Sequence, residues 1–557
     1  MSYQQPDPDF PASVALPDSP PESPPPESPA PPESPPPESP PPPESPCEES
    51  EDVIISMGKN HKPMRLLPHQ IDHYRRLSEI LHTEHGYLDT SPMGSGKTFT
   101  TMAIAATFNL SLGIVCPLSI IDVWKQECAT YGIPIKFAIS YQSLRGTKSS
   151  APKHGLLDRL GDQFKATDKF KMMVKKGLLL VFDEVHNLKN ATSQLQSAHC
   201  LVKQLVKMNC GSRVALLSAT PCDKPVHISS LLKILGIIEH DDLYEYDMSK
   251  QEYTLLGMQE IIDKCTTLSK LVTHQIVGST VLTRQTMPHI SYELFIRVIK
   301  PRVCSAMEPV SIVVVPGKED VIKECKNAYY EMMDKDVDTL REGANILSRA
   351  TRYRSDTQQI QIGKGSWGAI TRALGVIERS KVQLMIRLAK EKLQAHPNNK
   401  VILYFSFIES IKAVKEALAE YNPLVMYGIT KAPERAPLIK KFQEPSSEYR
   451  LMISNAKVGG IGISLDDRDG NFPRYMFIVP NYNFIDLQQA TGRIYRSTTQ
   501  SSATIRFVYS KAFPNETSII DSLFRKAQTL KSIVVSAQEL LPGEYPVWIE
   551  GEGDKVV

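Results

Sequence analysis

The 557-residue sequence lacks several features that would assign it to a simple class of protein. Its nine cysteines include no CxxC pair and fit no zinc spacing, which favours free thiols in a reducing compartment. It has no apolar run near the roughly 18 residues that a membrane span needs, and its acidic beginning lacks the basic segment of a signal peptide. These absences predict a soluble intracellular protein without a membrane partner, and they do not distinguish nucleus, cytoplasm and virion.

Basic residues are absent from the first 52 positions, which hold 12 acidic residues and 20 of the 42 prolines. With few apolar side chains to bury, such a segment cannot offset its ordering entropy, and we expect residues 1–58 to form a disordered, locally polyproline II tail. The tail suits either a solubilising spacer or a partner protein that recognises polyproline II. Since the net charge is +2, the remaining 505 residues carry +14, which is consistent with a nucleic-acid partner.

From about residue 60, short apolar runs alternate with amphipathic stretches, the pattern of parallel strands joined by helices. The candidate strands are residues 113–116, 178–182, 214–218, 401–405, 451–454 and 475–479. They fall into two clusters and therefore predict two α/β lobes with a mainly helical insertion between them, and we expect the basic segment 148–176 to be a solvated excursion. The expected bounds are 59–240 for the first lobe, 241–380 for the insertion, 381–535 for the second lobe and 536–557 for a C-terminal extension.

A glycine-bearing turn with the sequence SPMGSGKT follows the expected strand end at Tyr87–Asp89. Glycines allow successive backbone N–H groups to turn toward phosphate oxygens at the start of a helix. In this pattern Lys97 bridges the β- and γ-phosphates and Thr98 holds Mg²⁺. Ser91 stands where glycine or alanine is usual. The residues expected to bind the nucleotide here are Met93, Gly94, Ser95, Gly96, Lys97 and Thr98.

Two carboxylates end the apolar run that begins at Leu178. A buried strand would deliver Asp183 and Glu184 at its carboxyl end, where Asp183 can hold Mg²⁺ and Glu184 can polarise the attacking water as a general base. A lone pair of acids is commonly just a solvated turn. The position of this pair, 86 residues after Lys97, favours the catalytic interpretation.

Arg493 and Arg496 lie three positions apart and therefore on one face of a helix. Guanidinium groups suit the equatorial oxygens of a phosphoryl group in transfer, the role of an arginine finger. An isolated pair of this kind is more often a solvated helix face. The phosphate loop and the acidic pair earlier in the chain favour the finger.

In this order the motifs resemble those of the superfamily-two helicases and translocases, and the likeness is closest to the Snf2-like branch. The further segments that carry the resemblance are Leu67–Gln70, Val115–Ser119, Trp124–Lys125, Val185–Asn190, Leu217–Pro221, Tyr404–Phe407, Ser454–Gly462 and Pro480–Gln489. The segments SPMGSGKT, SATP and RSTTQ depart from the usual Snf2 pattern. They indicate a divergent member, similar to helicase-like proteins of large DNA viruses.

The resemblance implies two RecA-like lobes with ATP and Mg²⁺ in the cleft between them. It assigns Gln70 to adenine sensing, Gly462 to nucleotide binding and Gln489 to the catalytic set with Glu184 and the two arginines. It assigns coupling between the nucleotide and nucleic-acid sites to Ser218, Ala219 and Thr220. The residues that it places on the nucleic-acid strand are Ser119, Lys125, Gln142, Ser143, Ser406 and Ser454.

The resemblance therefore predicts a nucleic-acid-stimulated ATP hydrolase that moves on its substrate, with DNA favoured over RNA, and such a motor would suit viral transcription or replication. Two alternatives stay open. One is an RNA helicase or a transcription-factor ATPase that does not separate strands. The other is a scaffold that binds nucleic acid without hydrolysis, which the retained lysine, carboxylates and arginines disfavour. The oligomeric state has no signal in the sequence.

Overall fold

The computed structural model describes residues 53–55, 61–147, 152–161, 163–249, 251–308, 321–354, 359–362, 366–428, 430–455, 463–496, 498–511, 516–535, 542, 544–549 and 552. The Pro-rich segment lies outside these residues, and so does the prediction that a partner protein recognises its polyproline II conformation. Gly462 also lies outside them. Ile54–Ile55, inside the range expected to be disordered, instead form a strand that pairs antiparallel with Met64–Arg65. In the part of the chain that the structure describes, every helix falls short of the length and apolar character that crossing a bilayer requires.

The first lobe alternates strands and helices along the chain. Its strands are β1 (Ile54–Ile55), β2 (Met64–Arg65), β3 (Gly86–Asp89), β4 (Ser111–Cys116), β5 (Ile135–Ser140), β6 (Leu157–Leu160), β7 (Gln163–Ala166), β8 (Leu178–Asp183) and β9 (Arg213–Leu217). Its helices are α1 (Pro68–Thr83), α2 (Lys97–Thr107), α3 (Ile121–Tyr131), α4 (Tyr141–Arg145), α5 (Asp168–Lys175), α6 (Ser193–Met208) and α7 (Ile228–Ile234).

The segment expected to be mainly helical does contain several helices, but it also supplies strands to both lobes. Its strands are β10 (Tyr244–Asp247), β11 (Glu252–Leu255), β12 (Cys304–Ser305), β13 (Lys323–Tyr330), β14 (Thr351–Arg354) and β15 (Gln359–Ile362). Its helices are α8 (Gly257–Leu268), α9 (Lys270–Gly278), α10 (Met287–Leu294), α11 (Lys300–Val303), α12 (Asp334–Ala350) and α13 (Trp367–Ser380), with one π-helical turn at Phe295–Ile299.

The second lobe repeats the alternation. Its strands are β16 (Lys400–Phe405), β17 (Leu424–Met426), β18 (Leu451–Asn455), β19 (Arg474–Ile478) and β20 (Ala503–Ser510). Its helices are α14 (Val382–Ala395), α15 (Ile408–Ala417), α16 (Ala432–Gln443), α17 (Phe484–Thr491) and α18 (Thr517–Ile533).

Each lobe is built on a six-stranded parallel sheet. The strand orders are β12-β3-β9-β8-β4-β5 in the first lobe and β13-β20-β19-β16-β18-β17 in the second. In β8, Leu178, Leu180 and Phe182 enter one core cluster and Leu179 and Val181 enter another. Successive residues of a strand face opposite sides of the sheet, and helices cover both sides here. Both sets of side chains are therefore buried, which explains the unbroken apolar runs in the sequence. The predicted pair of RecA-like α/β lobes is confirmed.

One expectation about the first lobe is wrong. The basic segment 148–176 is not a solvated excursion, since its described part forms the hairpin β6–β7 and the helix α5. Phe170 and Val174 are fully buried in the core under the sheet. Four positions separate these two side chains, so they share one helix face, and lysines on the opposite face hid this pattern in the composition.

The end of the last helix joins the two lobes near the start of the phosphate loop. Ile533 is fully buried in the core cluster of the first lobe. The backbone N–H of Val535 donates to the hydroxyl of Thr90 at 3.1 Å, and Lys300 donates to the carbonyl of Val534 at 2.9 Å. The second lobe therefore touches the chain directly after β3, close to the start of the phosphate loop.

Candidate nucleotide site between the two lobes

The phosphate loop connects β3 to α2 and depends on two glycines in left-handed conformations. Gly94 has φ of +80° and Gly96 has φ of +95°. A Cβ atom at Gly96 would lie 2.2 Å from Nε2 of Gln70, so a side chain has no room there. The glycines thus allow the backbone turn that exposes N–H groups before the helix. Ser95 is buried within the loop, and its hydroxyl donates to the carbonyl of Pro92 at 2.8 Å.

The side chains of Lys97 and Gln70 both bind carbonyl groups of this loop. The ammonium of Lys97 donates to the carbonyls of Ser91 and Pro92, each at 2.9 Å. The amide of Gln70 donates to the carbonyl of Ser95 at 3.1 Å and accepts from the backbone N–H of Leu67 at 3.0 Å. Gln70, assigned to adenine sensing by the family resemblance, therefore braces the phosphate loop in this structure.

A buried polar network holds the first residue of the loop. The carboxylate of Asp89 accepts hydrogen bonds from the hydroxyl of Ser91 and, at 2.9 Å, from its backbone N–H. The same carboxylate lies 3.1 Å from Nε2 of His73, and Nδ1 of His73 lies 2.9 Å from the hydroxyl of Ser305. The backbone N–H of Met307 donates to the hydroxyl of Ser91 at 2.9 Å. The serine at this unusual position thus ties the loop to the chain that leaves β12.

We expect Ser91→Ala to lower the free energy of unfolding by about 1–3 kcal/mol, although it restores a residue usual at this position. The change leaves the buried N–H of Met307 without its acceptor, and an unsatisfied buried group costs this much. Urea unfolding monitored by circular dichroism measures the loss. Ser119→Ala, an exposed control, is expected to stay within about 0.5 kcal/mol of the wild type. Equal stability of the two variants would show that the Ser91 hydroxyl does not stabilise the loop.

Asp183 ends β8 next to the phosphate loop and receives two hydrogen bonds. The indole N–H of Trp124 donates to its Oδ2 at 2.9 Å, and the hydroxyl of Tyr141 donates to its carbonyl at 2.8 Å. Burial raises the pKa of the Asp183 carboxyl to about 6, and the carboxylate of Glu184 adds to the rise. Mg²⁺ binds a carboxylate in its ionised form, so binding of the metal opposes this rise.

Glu184 occupies a strained left-handed conformation with φ of 56° and ψ of 54°. Its Oε2 accepts a hydrogen bond from the hydroxyl of Ser218 at 3.2 Å and lies 3.2 Å from Nδ1 of His186. Burial alone would raise the pKa of Glu184, but the bond to His186 and the charges of Lys97 and Arg493 bring it to about 2. Glu184 is therefore ionised at neutral pH, the state that a general base needs.

A side chain of the second lobe reaches this carboxylate. The amide of Gln489 donates to Oε2 of Glu184 at 3.2 Å and to the hydroxyl of Thr220 at 3.5 Å. Ser218, Ala219 and Thr220 follow β9 and are buried, and the backbone N–H of Thr220 donates to the hydroxyl of Ser218 at 3.1 Å. The segment expected to couple the two sites thus contacts the predicted base and the second lobe together.

The expectation that the two arginines share one helix face is wrong, because helix α17 ends at Thr491 and both arginines follow it. They lie across the cleft from the phosphate loop. Arg493 is 5% exposed and donates to the carbonyl of Ile463 at 3.2 Å, and burial lowers its pKa to about 10, so it stays charged. Arg496 donates to the same carbonyl at 2.6 Å. Its Cδ would lie 3.9 Å from a Cβ atom at Gly94. The structure therefore brings Arg496 of one lobe to the glycine loop of the other, and the charge of Arg493 acts on Glu184.

Beside these arginines, the phosphate loop of the first lobe comes close to the backbone of the second lobe. A Cβ atom at Gly492 would lie 2.4 Å from the terminal methyl group of Met93. Met93 belongs to the phosphate loop and Gly492 follows helix α17 of the second lobe. The absence of a side chain at Gly492 lets the two segments meet.

The residues present fit a magnesium nucleotide. The cradle formed by Gly94 and Gly96 suits phosphate oxygens, and Thr98 with Asp183 offers the hard oxygen ligands that Mg²⁺ prefers. Among the described residues, no group of three or more His, Cys, Asp or Glu could hold a metal without other ligands. Mg²⁺ is usually bound by one or two protein groups together with substrate phosphates.

Four of the predicted nucleic-acid contacts lie at one edge of the first sheet. The last residues of β4 and β5 are paired in register, so the turns that follow these strands are neighbours. Four exposed residues follow those strand ends, namely Ser119, Lys125, Gln142 and Ser143. Their side chains are therefore accessible to solvent at this edge of the sheet.

The predicted contacts of the second lobe differ in exposure. Ser406 is half-buried, and its hydroxyl accepts from the amide of Asn481 at 2.7 Å. Ser454 is fully buried, and its hydroxyl donates to the carbonyl of Met426 at 2.8 Å. The Ser454 hydroxyl therefore joins two neighbouring strands and does not face solvent. The expected nucleotide contact of Gly462 lies outside the described residues.

Several residues near the site, including Trp124, were absent from the sequence-based set of site residues. His73 and Tyr141 bind the predicted site only through side-chain contacts across the fold, and no local pattern marks them. His186 follows Glu184 by two positions, and this DExH spacing was the signal that could have placed it beside the base.

No family model matches the chain, but individual relatives do. An Acanthamoeba polyphaga mimivirus protein named as an ATP-dependent RNA helicase is 23% identical over 497 residues, which cover 85% of this chain and 84% of the relative. An Arabidopsis thaliana protein named as an ATP-dependent DNA helicase is 24% identical over 404 residues, 68% of this chain. The match spans only 34% of the plant protein, so about two thirds of that relative has no counterpart in this alignment.

Among solved structures, the Sulfolobus solfataricus SWI2/SNF2 ATPase core in complex with double-stranded DNA is 16% identical. The match covers 86% of this chain and 99% of that chain, with a TM-score of 0.28. This score is too low to show that the two whole chains share one fold, and the fold assignment depends on the two parallel sheets.

A predicted catalytic set divided between two RecA-like lobes, with Gln489 of one lobe bound to Glu184 of the other, fits a two-lobe ATP-hydrolysing enzyme. The relatives indicate which of the two-lobe ATP-hydrolysing enzymes this chain resembles. The chain is similar to Snf2-like helicases of superfamily two, including a plant DNA helicase and a helicase-like protein of a large DNA virus.

Proposed function

We propose that this protein is an ATP-driven motor that moves along DNA, with ATP hydrolysed in the cleft between the lobes. The contact between Gln489 and Glu184 carries the proposal, because it joins positions 305 residues apart at the predicted base. The approach of Met93 to Gly492 supports it. A catalytic set completed only when two lobes meet couples the reaction to their relative movement.

ATP binding falls to the phosphate loop of the first lobe. Lys97 presents its ammonium at the loop carbonyls of Ser91 and Pro92, and the β- and γ-phosphates of ATP would take over these contacts. Thr98 and Asp183 would hold Mg²⁺, which neutralises phosphate charge when it is bound.

Hydrolysis then requires a base and a positive charge at the γ-phosphate. Glu184 is ionised and held by hydrogen bonds from Ser218 and Gln489, so it can accept a proton from the attacking water. Arg493 and Arg496 supply fixed guanidinium groups from the other lobe, which stabilise the charge that spreads over the equatorial oxygens.

Movement along DNA would follow if the predicted nucleic-acid contacts on both lobes bind one strand. Ser119, Lys125 and their neighbours lie at the edge of the first sheet, and Ser406 follows β16 of the second. A change in the lobe arrangement would therefore alter the spacing of contacts along one strand. Contacts of this type bind the phosphate backbone and do not read bases, so we expect no sequence preference from the motor.

Steady-state ATPase measurements with duplex DNA, single-stranded DNA, RNA of equal length and no nucleic acid test the proposal. We expect duplex DNA to raise kcat severalfold above the basal rate. Lys97→Ala serves as the matched control and is expected to lose both nucleotide affinity and turnover, because its ammonium is a ground-state phosphate ligand.

Other outcomes decide between the remaining functions. Stimulation by RNA alone would replace the DNA motor with an RNA helicase. Stimulation by duplex DNA without displacement of a labelled strand would identify a translocase that does not unwind. ATPase activity at the level of Lys97→Ala under every condition would contradict the motor and leave a nucleic-acid-binding scaffold.

A further inference from the structure

We propose that Trp124 and Tyr141 are positioning residues that connect the nucleic-acid-facing turns of the first lobe to Asp183. This inference rests on the proposed function, because it concerns how DNA binding changes nucleotide binding. The indole N–H of Trp124 donates to Oδ2 of Asp183 at 2.9 Å, and the Tyr141 hydroxyl donates to the carbonyl of the same residue at 2.8 Å. Both ends of one residue are thus fixed by two aromatic side chains.

The two aromatic residues lie directly beside predicted nucleic-acid contacts. Trp124 precedes Lys125 in α3, and Tyr141 precedes Gln142 at the start of α4. Trp124 and Tyr141 are each 1% exposed, whereas Lys125 and Gln142 are exposed. Each short helix therefore presents one residue to solvent at the sheet edge and sends the neighbouring side chain inward to Asp183.

The sheet order makes this connection direct. Strands β5, β4 and β8 are adjacent and parallel, so the elements that follow them lie side by side at one edge. A shift of α3 or α4 on binding a phosphate backbone moves Trp124 or Tyr141 without any intermediate residue. Such a shift changes the orientation of Asp183, on which the binding of a magnesium nucleotide depends.

A purely structural role makes a different prediction. Trp124 belongs to a buried core cluster, and simple loss of packing would weaken the fold and nucleotide binding equally with and without DNA. A positioning role instead changes the ratio between the nucleotide affinity with DNA and the nucleotide affinity without DNA. By linkage, the factor by which DNA changes nucleotide affinity equals the factor by which the nucleotide changes DNA affinity.

The test measures that coupling factor in Trp124→Phe and Tyr141→Phe. Each change removes one N–H or O–H donor and keeps an aromatic ring in the core. The dissociation constant of a fluorescent, non-hydrolysable ATP analogue with Mg²⁺ is measured with and without a duplex oligonucleotide. The dissociation constant of the duplex is measured with and without the same analogue. Matched controls are Trp367→Phe, whose ring is 66% exposed, and Tyr74→Phe, whose hydroxyl lies 2.7 Å from that of Thr107.

We expect the coupling factor to fall at least about threefold toward one in both test variants and to stay at the wild-type value in both controls. The bond from Trp124 goes to a carboxylate and is strong enough for a change of up to about tenfold, whereas the bond from Tyr141 goes to a neutral carbonyl and should give a change nearer to threefold. Duplex affinity without nucleotide should change less than about twofold. Wild-type coupling in both test variants would overturn the inference while leaving the motor intact. A wild-type factor of one, without DNA-stimulated ATPase, would instead contradict the proposed function and with it this inference.

A measurement on the full chain without any change at Trp124 guards against misfolding of the variants. The sequence has three tryptophans, and 5-fluorotryptophan labelling gives three ¹⁹F resonances that Trp367→Phe and Trp548→Phe assign. Duplex DNA alone, without nucleotide, should shift the Trp124 resonance. An unchanged Trp124 resonance at saturating duplex would contradict the connection.

Discussion

Arg496→Ala is expected to lower kcat for ATP about 10³- to 10⁵-fold, the range found for arginine fingers. The nucleotide dissociation constant should change only a few fold, because the guanidinium stabilises charge that develops in the transition state. The structure places the Arg496 side chain beside Gly94 of the phosphate loop. Single-turnover hydrolysis and equilibrium binding of a fluorescent nucleotide separate the two effects.

Two further variants sharpen this result. Arg496→Lys keeps the charge but loses the planar fork, and we expect only partial recovery of turnover. Arg468→Ala is the matched control, since this arginine of the same lobe is 60% exposed and lies 3.5 Å from Asp466; its loss should leave turnover unchanged. If Arg496→Ala lost as much nucleotide affinity as Lys97→Ala, the arginine-finger role would be contradicted. Such a loss would indicate that Arg496 binds the nucleotide already in the ground state.

The strands and the chemistry at their ends could be predicted because both are local. Every position from Leu178 to Phe182 is apolar, as expected for a strand whose two faces are both covered by helices. The acidic pair directly follows this run, so its position at the carboxyl end of the strand could also be predicted. The glycines of the phosphate loop are equally local, since each is needed for a backbone turn.

Contacts between distant positions could not be derived from such patterns. His73 and Ser305 are 232 residues apart and meet only because β12 pairs with β3. β12 has two residues, too few for any periodicity, and it follows a region that reads as helical. The hydroxyl at Ser91 looked like a small deviation from the usual loop, yet it accepts from Met307 because that strand passes beside it.

Residue type alone was also insufficient to predict exposure. Ser119 and Ser454 were both expected on the nucleic-acid strand, yet one is exposed and the other fully buried. The resemblance places a motif on the chain, but the direction of each side chain depends on the register of its strand. A serine at the end of a buried strand satisfies a backbone carbonyl as readily as it binds a phosphate.

Glu184→Gln is expected to lower kcat about 10²- to 10⁴-fold, the contribution of a general base, while nucleotide binding persists. The pKa of Glu184 is lowered to about 2, against the effect of burial, by His186, Lys97 and Arg493. The carboxylate therefore carries a full charge at neutral pH. Glutamine keeps the size of the side chain and an oxygen acceptor for Ser218 and Gln489, but it cannot take a proton from water.

The variant should also trap a state that the wild type passes through quickly. With ATP bound and hydrolysis blocked, the complex with duplex DNA should dissociate more slowly than that of the wild type in the presence of ATP, which stopped-flow fluorescence measures. Glu79→Gln, an exposed helix residue whose side chain is 66% accessible, is the control and should match the wild type. Near-normal kcat in Glu184→Gln would place the base elsewhere, and the hydrogen bond from Gln489 would then serve only to hold the lobes together.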